Sequence, residues 1–306
     1  IGDAKASLGM TVTDEEREDA LRKQVTKLCK EIDLDQSTAL KFLNLLLNES
    51  VKVQSDNKQT HLSVFLKAKA LEEEGKKIIH LEVGEPDFKP PKEVKTALEE
   101  VYDKGYGKYG SPKGIFELRS DLREMINHAG EATLSTFVTE EGIMICPGAR
   151  FAVYLAITTL LNPGDEIIVI EPAWPAYKDC ALNAGIKVRT IKTTLETKWE
   201  PSIEQINNAI NENTKMIILN YPNNPTGKVL SNELLDSIIQ TAKEHDLYVL
   251  SDEIYSEYAN HDWTSVFTYA YEKSIVTKSF SKSHAMTGYR IGYVIADEPI
   301  IEKMSK

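Results

Sequence analysis

Lys282 stands in the stretch TKSFSKSHAMTGYRIG (277–292), among small hydroxyl residues and eight positions before Arg290. A primary amine so placed can attack a carbonyl carbon and, once released, carry a proton. The arginine and the nearby serines can hold an anion through charge-assisted and neutral hydrogen bonds. Four other strings bring residues of useful type: NYPNNPTG (220–227), SDEIY (251–255), EPAWPAY (171–177) and PGAR (147–150). SDEIY sets a carboxylate, Asp252, three residues before a phenol, Tyr255. PGAR precedes a helical pattern, so the amides of Gly148 and Ala149, with Arg150 beside them, would point at an anion as helix N-termini do. Taken singly, each string also has an ordinary reading as turn formers, a strand-end carboxylate, a half-buried tyrosine or a core tryptophan.

The elements around these strings give them a common address. Apolar, β-branched runs recur at 143–146, 166–170, 187–191, 216–219, 248–250, 274–277 and 291–296, with helical patterns at 115–127, 151–161, 202–211 and 232–244. Alternating strands and helices predict an α/β domain with a mostly parallel seven-stranded sheet between helices. In such sheets ligands bind where strands end, and each string follows a predicted strand. Residues 1–56 carry no strand signal. Ala20, Leu21, Val25, Leu28 and Ile32 share helical spacing after Thr13, and a second helix is expected from Ser37 to about Val53. The polar run SDNKQT (55–60) marks a connection, giving an all-helical segment over 1–56, a linker over 57–61 and the α/β domain over 62–306.

A chain of 306 residues with 42% apolar content can bury a substantial core, and a net charge of -11 disfavours nucleic acid and anionic membrane surfaces. Cys29, Cys146 and Cys180 have no paired spacing and no histidine at metal-ligand distance in sequence, so reduced thiols and no metal site are expected. Neither a secretory signal nor a membrane-spanning run is visible, which predicts a cytoplasmic protein. Ile1 in place of a methionine, and a chain that stops at Lys306 as a helix starts near Pro299, predict an internal fragment of a longer protein.

Thr277–Gly292 resembles the lysine signature of the class I/II aminotransferases of pyridoxal-phosphate (PLP) fold type I at Ser279, Ser281, Lys282, Gly288, Arg290 and Gly292. The resemblance implies that Lys282 forms a Schiff base with PLP, while Ser279, Ser281 and Arg290 hold the phosphate with Gly148, Ala149 and Arg150. In the family's order, Asn224 and Tyr255 would meet the phenolic oxygen, Asp252 the ring nitrogen, and Trp174 the ring face. LEVGEPDF (81–88) resembles the segment whose glycine approaches the substrate carboxylate, here Gly84, with Asn224 also on the substrate side. KYGSPKGIFELR (108–119) resembles the segment whose tyrosine, here Tyr109, reaches the phosphate of the other subunit, implying a homodimer with shared sites. The implied reaction moves an amino group between an amino acid (aspartate, glutamate or aromatic) and a 2-oxo acid. The family's arginine for the substrate α-carboxylate falls past Lys306, so the C-terminal small domain is expected to be incomplete.

Residues 1–5 (IGDAK), 11–18 (TVTDEERE) and 48–54 (NESVKVQ) resemble the later part of the all-helical chorismate mutases. That places Lys5, Asp14, Arg17, Glu18, Ser50 and Gln54 on active-site positions, where cations and a carboxyl would hold a dianion in its reactive conformer. The chemistry of the two segments meets at prephenate. Two other readings stay open: a carbon–sulfur lyase or another non-transaminating member of the fold, and an aminotransferase-like regulator. Against the regulator, residues 1–56 hold 8 Lys+Arg and 11 Asp+Glu, a net charge of -3, where DNA-recognition modules are basic.

Overall fold

The strand Glu166–Glu171 shows how an unbroken apolar run builds a two-sided core. Ile168 and Ile170 are buried on one face and Ile167 and Val169 on the other, and both sets are nearly inaccessible. Successive side chains of a strand alternate in direction, so a run apolar throughout requires cover on both faces. In the computed structural model, residues 15–31, 35–41, 43–44, 61–81, 83–128, 138–259 and 263–306 are described. The chain divides into two compact units, Ile1–Gly84 and Glu85–Lys306. This division falls downstream of the connection expected at 57–61.

In the first unit, α1 (Glu15–Glu31) is followed by helical residues 36–41 and 43–44. Asp35 starts this second helical stretch by accepting the Thr38 amide at 2.7 Å, a capping bond just before the helix expected from Ser37. Arg22 donates to Asn44 Oδ1 at 3.2 Å and Gln36 to Thr26 Oγ1 at 3.3 Å, so the two helical stretches lie side by side. α2 (His61–Glu73) opens at His61, a residue expected to close the linker.

The second unit contains α3 (Lys92–Asp103), α4 (Phe116–His128), β1 (Ile143–Cys146), α5 (Ala149–Leu160), β2 (Glu166–Glu171), α6 (Ala176–Asn183), β3 (Lys187–Lys192), α7 (Ile203–Ala209), β4 (Thr214–Leu219), α8 (Asn232–Glu244), β5 (Tyr248–Asp252), β6 (Ser274–Ser279), α9 (Phe280–Ser283), β7 (Gly292–Ala296) and α10 (Glu298–Met304). Ser202 and Gln205 form a capping box at α7, and Ser231 caps α8.

The seven strands form one sheet in the order β1-β7-β6-β5-β4-β2-β3. From β3 to β6 every neighbouring pair is parallel, while β7 runs antiparallel to both β6 and β1. The mostly parallel seven-stranded expectation therefore holds, with β7 as the reversed strand. One face is covered by Leu122 and Ile126 of α4, Ile206 of α7 and Ile238 of α8; the other by Val153 and Ile157 of α5, Tyr177 of α6 and Ile301 of α10. The loops that follow β4, β5 and β6 open at one end of the sheet, where the sequence strings fall.

Candidate active site

Asp252, the last residue of β5, sits with 2% of its surface exposed. The parallel register that pairs it with Thr277 of β6 sets the Thr277 hydroxyl 3.3 Å from Oδ1. Tyr177 of α6 donates to Oδ2 at 2.6 Å, and the Ile254 amide lies 3.4 Å from Oδ1. Among the described residues no cation reaches this carboxylate. Burial raises its pKa, and the Tyr177, Ile254 and Thr277 donors only partly oppose that rise.

The β4–α8 loop is tied to the same strand end. Asn220 donates to the Asp252 carbonyl at 3.0 Å and accepts the Asn224 amide at 3.0 Å. Asn224, whose peptide to Pro225 is cis, thereby brings its side-chain amide 3.5 Å from the Tyr255 hydroxyl. The Lys282 amine lies 6.0 Å from the centre of the Tyr255 ring, and the Tyr258 hydroxyl holds the Lys282 carbonyl at 2.9 Å. Burial lowers the Lys282 pKa below its ordinary value, partly offset by the negative charge of Glu85. The amine thus lies near the Tyr255 ring, whose hydroxyl meets Asn224, three residues after the buried Asp252.

An anion cradle lies beside it. Gly148, at φ +84°, caps α5, and a Cβ there would overlap the Arg290 guanidinium. Arg290 Nη1 donates to the Thr287 carbonyl at 2.8 Å and Nη2 lies 3.4 Å from the Pro147 carbonyl. A Cβ on Gly292 would crowd the Ala149 amide at 2.8 Å, so two glycines let the β7 start and the α5 start approach closely. Ser279 caps α9 by accepting the Ser281 amide at 3.0 Å, and its hydroxyl lies 2.9 Å from both Ser281 Oγ and the Ile291 carbonyl. Trp174 meets Tyr177 edge to face at 5.5 Å. Arg150, expected beside the anion, places its guanidinium 5.8 Å over the Trp174 ring.

Lys282, Asp252, Asn224, Tyr255, Trp174, Gly148, Ala149, Ser279, Ser281 and Arg290 therefore gather at one end of the sheet. Tyr109 is fully exposed in the single chain. Gly84 is the last residue of the first unit and belongs to the description of that unit. Lys5, Asp14, Ser50 and Gln54 lie outside the described residues, and Arg17 and Glu18 are on α1 with side chains outside the description. Asn220, Thr277 and Tyr177 were not singled out from sequence. All three lie inside the strings given above, but what they touch depends on which strands are neighbours.

Together these groups suit a flat cationic ring bearing a phosphate. The buried carboxylate lacks a cation, an indole and a phenol border the space, and an arginine rests on a glycine cradle at a helix start. No group of three potential metal ligands occurs among the described residues.

Residues 76–306 match the family model of the class I and II aminotransferases. The chain belongs to that family. Residues 1–55 match the model of the type II chorismate mutases, and the segment's described residues are largely helical. An aspartate aminotransferase of Thermotoga maritima is 35% identical over 243 residues, 78% of this chain and 63% of that protein. An aspartate/prephenate aminotransferase of Thermus thermophilus is 36% identical over 257 residues, 84% of this chain and 66% of that protein. The structure of the Thermus thermophilus aspartate aminotransferase with maleate superposes with a TM-score of 0.77 at 35% identity, covering 83% of this chain and 65% of the other. The chain spans less than two thirds of these relatives' lengths. Within the aminotransferase family, the resemblance read from the lysine segment and the seven-stranded fold agree.

Proposed function

We propose that this chain carries the cofactor-binding part of a PLP-dependent aminotransferase, which moves an amino group between an amino acid and a 2-oxo acid, with Lys282 as the catalytic residue. One observation carries the reading: the Lys282 amine lies 6.0 Å from the centre of the Tyr255 ring, Tyr255 meets Asn224, and Asp252 is buried at the end of β5 with no cation on it among the described residues. Asp252 would hold the ring nitrogen of the cofactor in its protonated form. Asn224 and Tyr255 would bind the phenolic oxygen, Trp174 would cover a ring face, and Gly148, Ala149, Ser279 and Arg290 would hold the phosphate.

When bound, PLP withdraws electrons from the substrate's α-carbon. Lys282 Nζ, its pKa lowered by burial, would move the α-proton. Asp252, itself buried and braced by Tyr177 and Thr277, would keep the opposing charge fixed. Tyr109, exposed in one chain, would complete the phosphate site of a second copy, making the working form a homodimer.

The substrate side follows from the fused segment. Chorismate mutases make prephenate, and the Thermus relative's name includes prephenate. An amino donor of the aspartate or glutamate type with a prephenate or aromatic 2-oxo acid acceptor is our reading. Three free, buried cysteines fit a reducing cytoplasm, and no helix among the described residues is long and apolar enough to cross a membrane.

A donor and acceptor panel on the full-length protein tests this. Transfer that needs a 2-oxo acid acceptor, and loss of the borohydride-reducible cofactor linkage in Lys282→Ala, are expected. Release of pyruvate and ammonia without an acceptor would favour a lyase instead, and a linkage that persists in Lys282→Ala would overturn the assignment of the lysine.

A further inference from the structure

A cleft of about 370 Å³ opens at the other end of the sheet, where β6 begins and β7 ends. Ser274 starts β6 and Ser279 ends it, so the cleft and the cradle lie roughly 17 Å apart at about 3.3 Å per strand residue. The volume falls within the range of small-ligand pockets.

Ser274 lines this cleft with 6% of its surface exposed, and its hydroxyl is buried without a hydrogen-bond partner. Buried hydroxyls in folded proteins are nearly always bonded, so an orphan that borders a cavity marks the place of a missing partner. Three carboxylates border the same space. Glu298 accepts the Thr139 hydroxyl at 2.7 Å. Asp297 occupies the capping position of α10 yet makes no capping bond, although an aspartate there ordinarily bonds the first amides. Among the described residues, neither Asp297 nor Glu272 has a cation within ion-pair distance. The Asp297 carboxyl is pushed above its usual range by burial and by the charges of Glu272 and Glu298. Phe267 and Tyr271 add apolar wall.

We propose that this cleft is a second ligand site that takes a small organic cation with N–H donors, an alkylammonium or alkylguanidinium. The carboxylates supply the charge complement, and the Ser274 oxygen is an acceptor of the kind an N–H donor fills. The aromatic wall suits an alkyl stem. A bare metal ion fits less well, since no three potential ligands converge among the described residues.

Butylguanidinium is a suitable probe because, unlike an amine, it does not condense with a carbonyl at the Lys282 end. Calorimetric titration of the full chain at physiological salt should show saturable one-to-one binding, with butylammonium competing and 1-pentanol, the neutral analogue, not binding. Asp297→Asn combined with Glu272→Gln should weaken the probe by roughly tenfold or more, about 1.4 kcal/mol per decade. Ser274→Ala, which removes only the orphan oxygen, should weaken it severalfold and leave amino transfer unchanged. Absence of saturation, equal binding of pentanol, or undiminished affinity in both the Asp297/Glu272 and the Ser274 variants overturns the proposal. None of these results depends on the reaction proposed for Lys282.

Discussion

The Tyr177 hydroxyl donates to Asp252 Oδ2 at 2.6 Å, and both groups are almost completely buried. A phenol on α6 thus holds a carboxylate at the end of β5. The bond favours the ionised form of Asp252 against a burial that disfavours it, and burial, joined by the Asp252 charge, holds the Tyr177 pKa well above the ordinary phenol value. Tyr177→Phe should let the Asp252 carboxyl rise further. The acid limb of the kcat/KM profile should then move to higher pH, with kcat/KM reduced about tenfold to a hundredfold, as loss of one bond of about 1–3 kcal/mol to a buried charge implies. An unshifted limb would mean that Tyr177 serves packing alone.

Asp252→Asn separates stability from chemistry. In the cofactor-free protein the folded-state pKa of Asp252 lies above its unfolded value, so the folded form binds the proton more tightly. This group therefore lowers stability as pH rises from the unfolded pKa through the folded one. Asparagine removes that loss. The cofactor-free variant should melt at or above the unaltered protein at neutral pH and fall behind it only in acid, while amino transfer drops roughly a hundredfold or more. Thermal melts at two pH values, beside a transfer assay, check both arms.

Burial lowers the Lys282 pKa and Glu85 opposes the shift. The neutral amine should therefore become available below the ordinary lysine value of 10.5, and Glu85→Gln should move the midpoint lower still. Reductive methylation of the cofactor-free protein across a pH series, quantified at Lys282 by mass spectrometry, measures this. A midpoint in Glu85→Gln equal to or above that of the unaltered protein would contradict the coupling.

Gly148→Ala meets two obstacles, a φ of +84° and the Arg290 guanidinium in the space of the new methyl. The expected cost is about 1–3 kcal/mol of stability from the backbone, with weaker binding of the cofactor's phosphate as Arg290 is displaced. Fluorescence titration with PLP and with pyridoxal should show the loss mainly for the phosphorylated form.

Tyr109 is fully exposed in the single chain. If it serves a second copy's phosphate site, Tyr109→Phe leaves the melting temperature of the chain unchanged and weakens PLP in the dimer by a factor on the order of ten, about one hydrogen bond to a charged group. Sedimentation establishes that the variant is still dimeric before affinities are compared.

All seven strands were legible because each carries a short apolar run, buried on both faces in all but the edge strand β3, and Lys282, Asp252, Asn224 and Tyr255 could be placed because each follows one of those runs. α3 escaped notice because none of its residues is buried: Leu98 and Val101 are exposed, so its apolar face carries little core signal. α6 was hidden by its short length, directly after Pro175 in the string read for Trp174. The parts that tie the site together were not legible. Thr277 reaches Asp252 only because β5 and β6 are parallel neighbours in that register, and Asn220 matters only because β4 lies on the other side of β5. Side-chain type shows on one strand; partnership needs the order of three.

The place of β7 has a consequence for synthesis. β6, β5, β4, β2 and β3 can pair as soon as β6 has left the ribosome, but β1, made much earlier, has among the described residues no hydrogen-bonded neighbour in the sheet except β7. Until residues 292–296 emerge, the nascent sheet exposes an unpaired β6 edge and β1 has no strand to join, a long-range closure of the kind that folds slowly and invites wrong pairing. Gly148 follows β1 and Arg290 precedes β7, so the cradle is assembled only when that last strand inserts. Affinity for phosphate would therefore report, on the ribosome, that the sheet has closed.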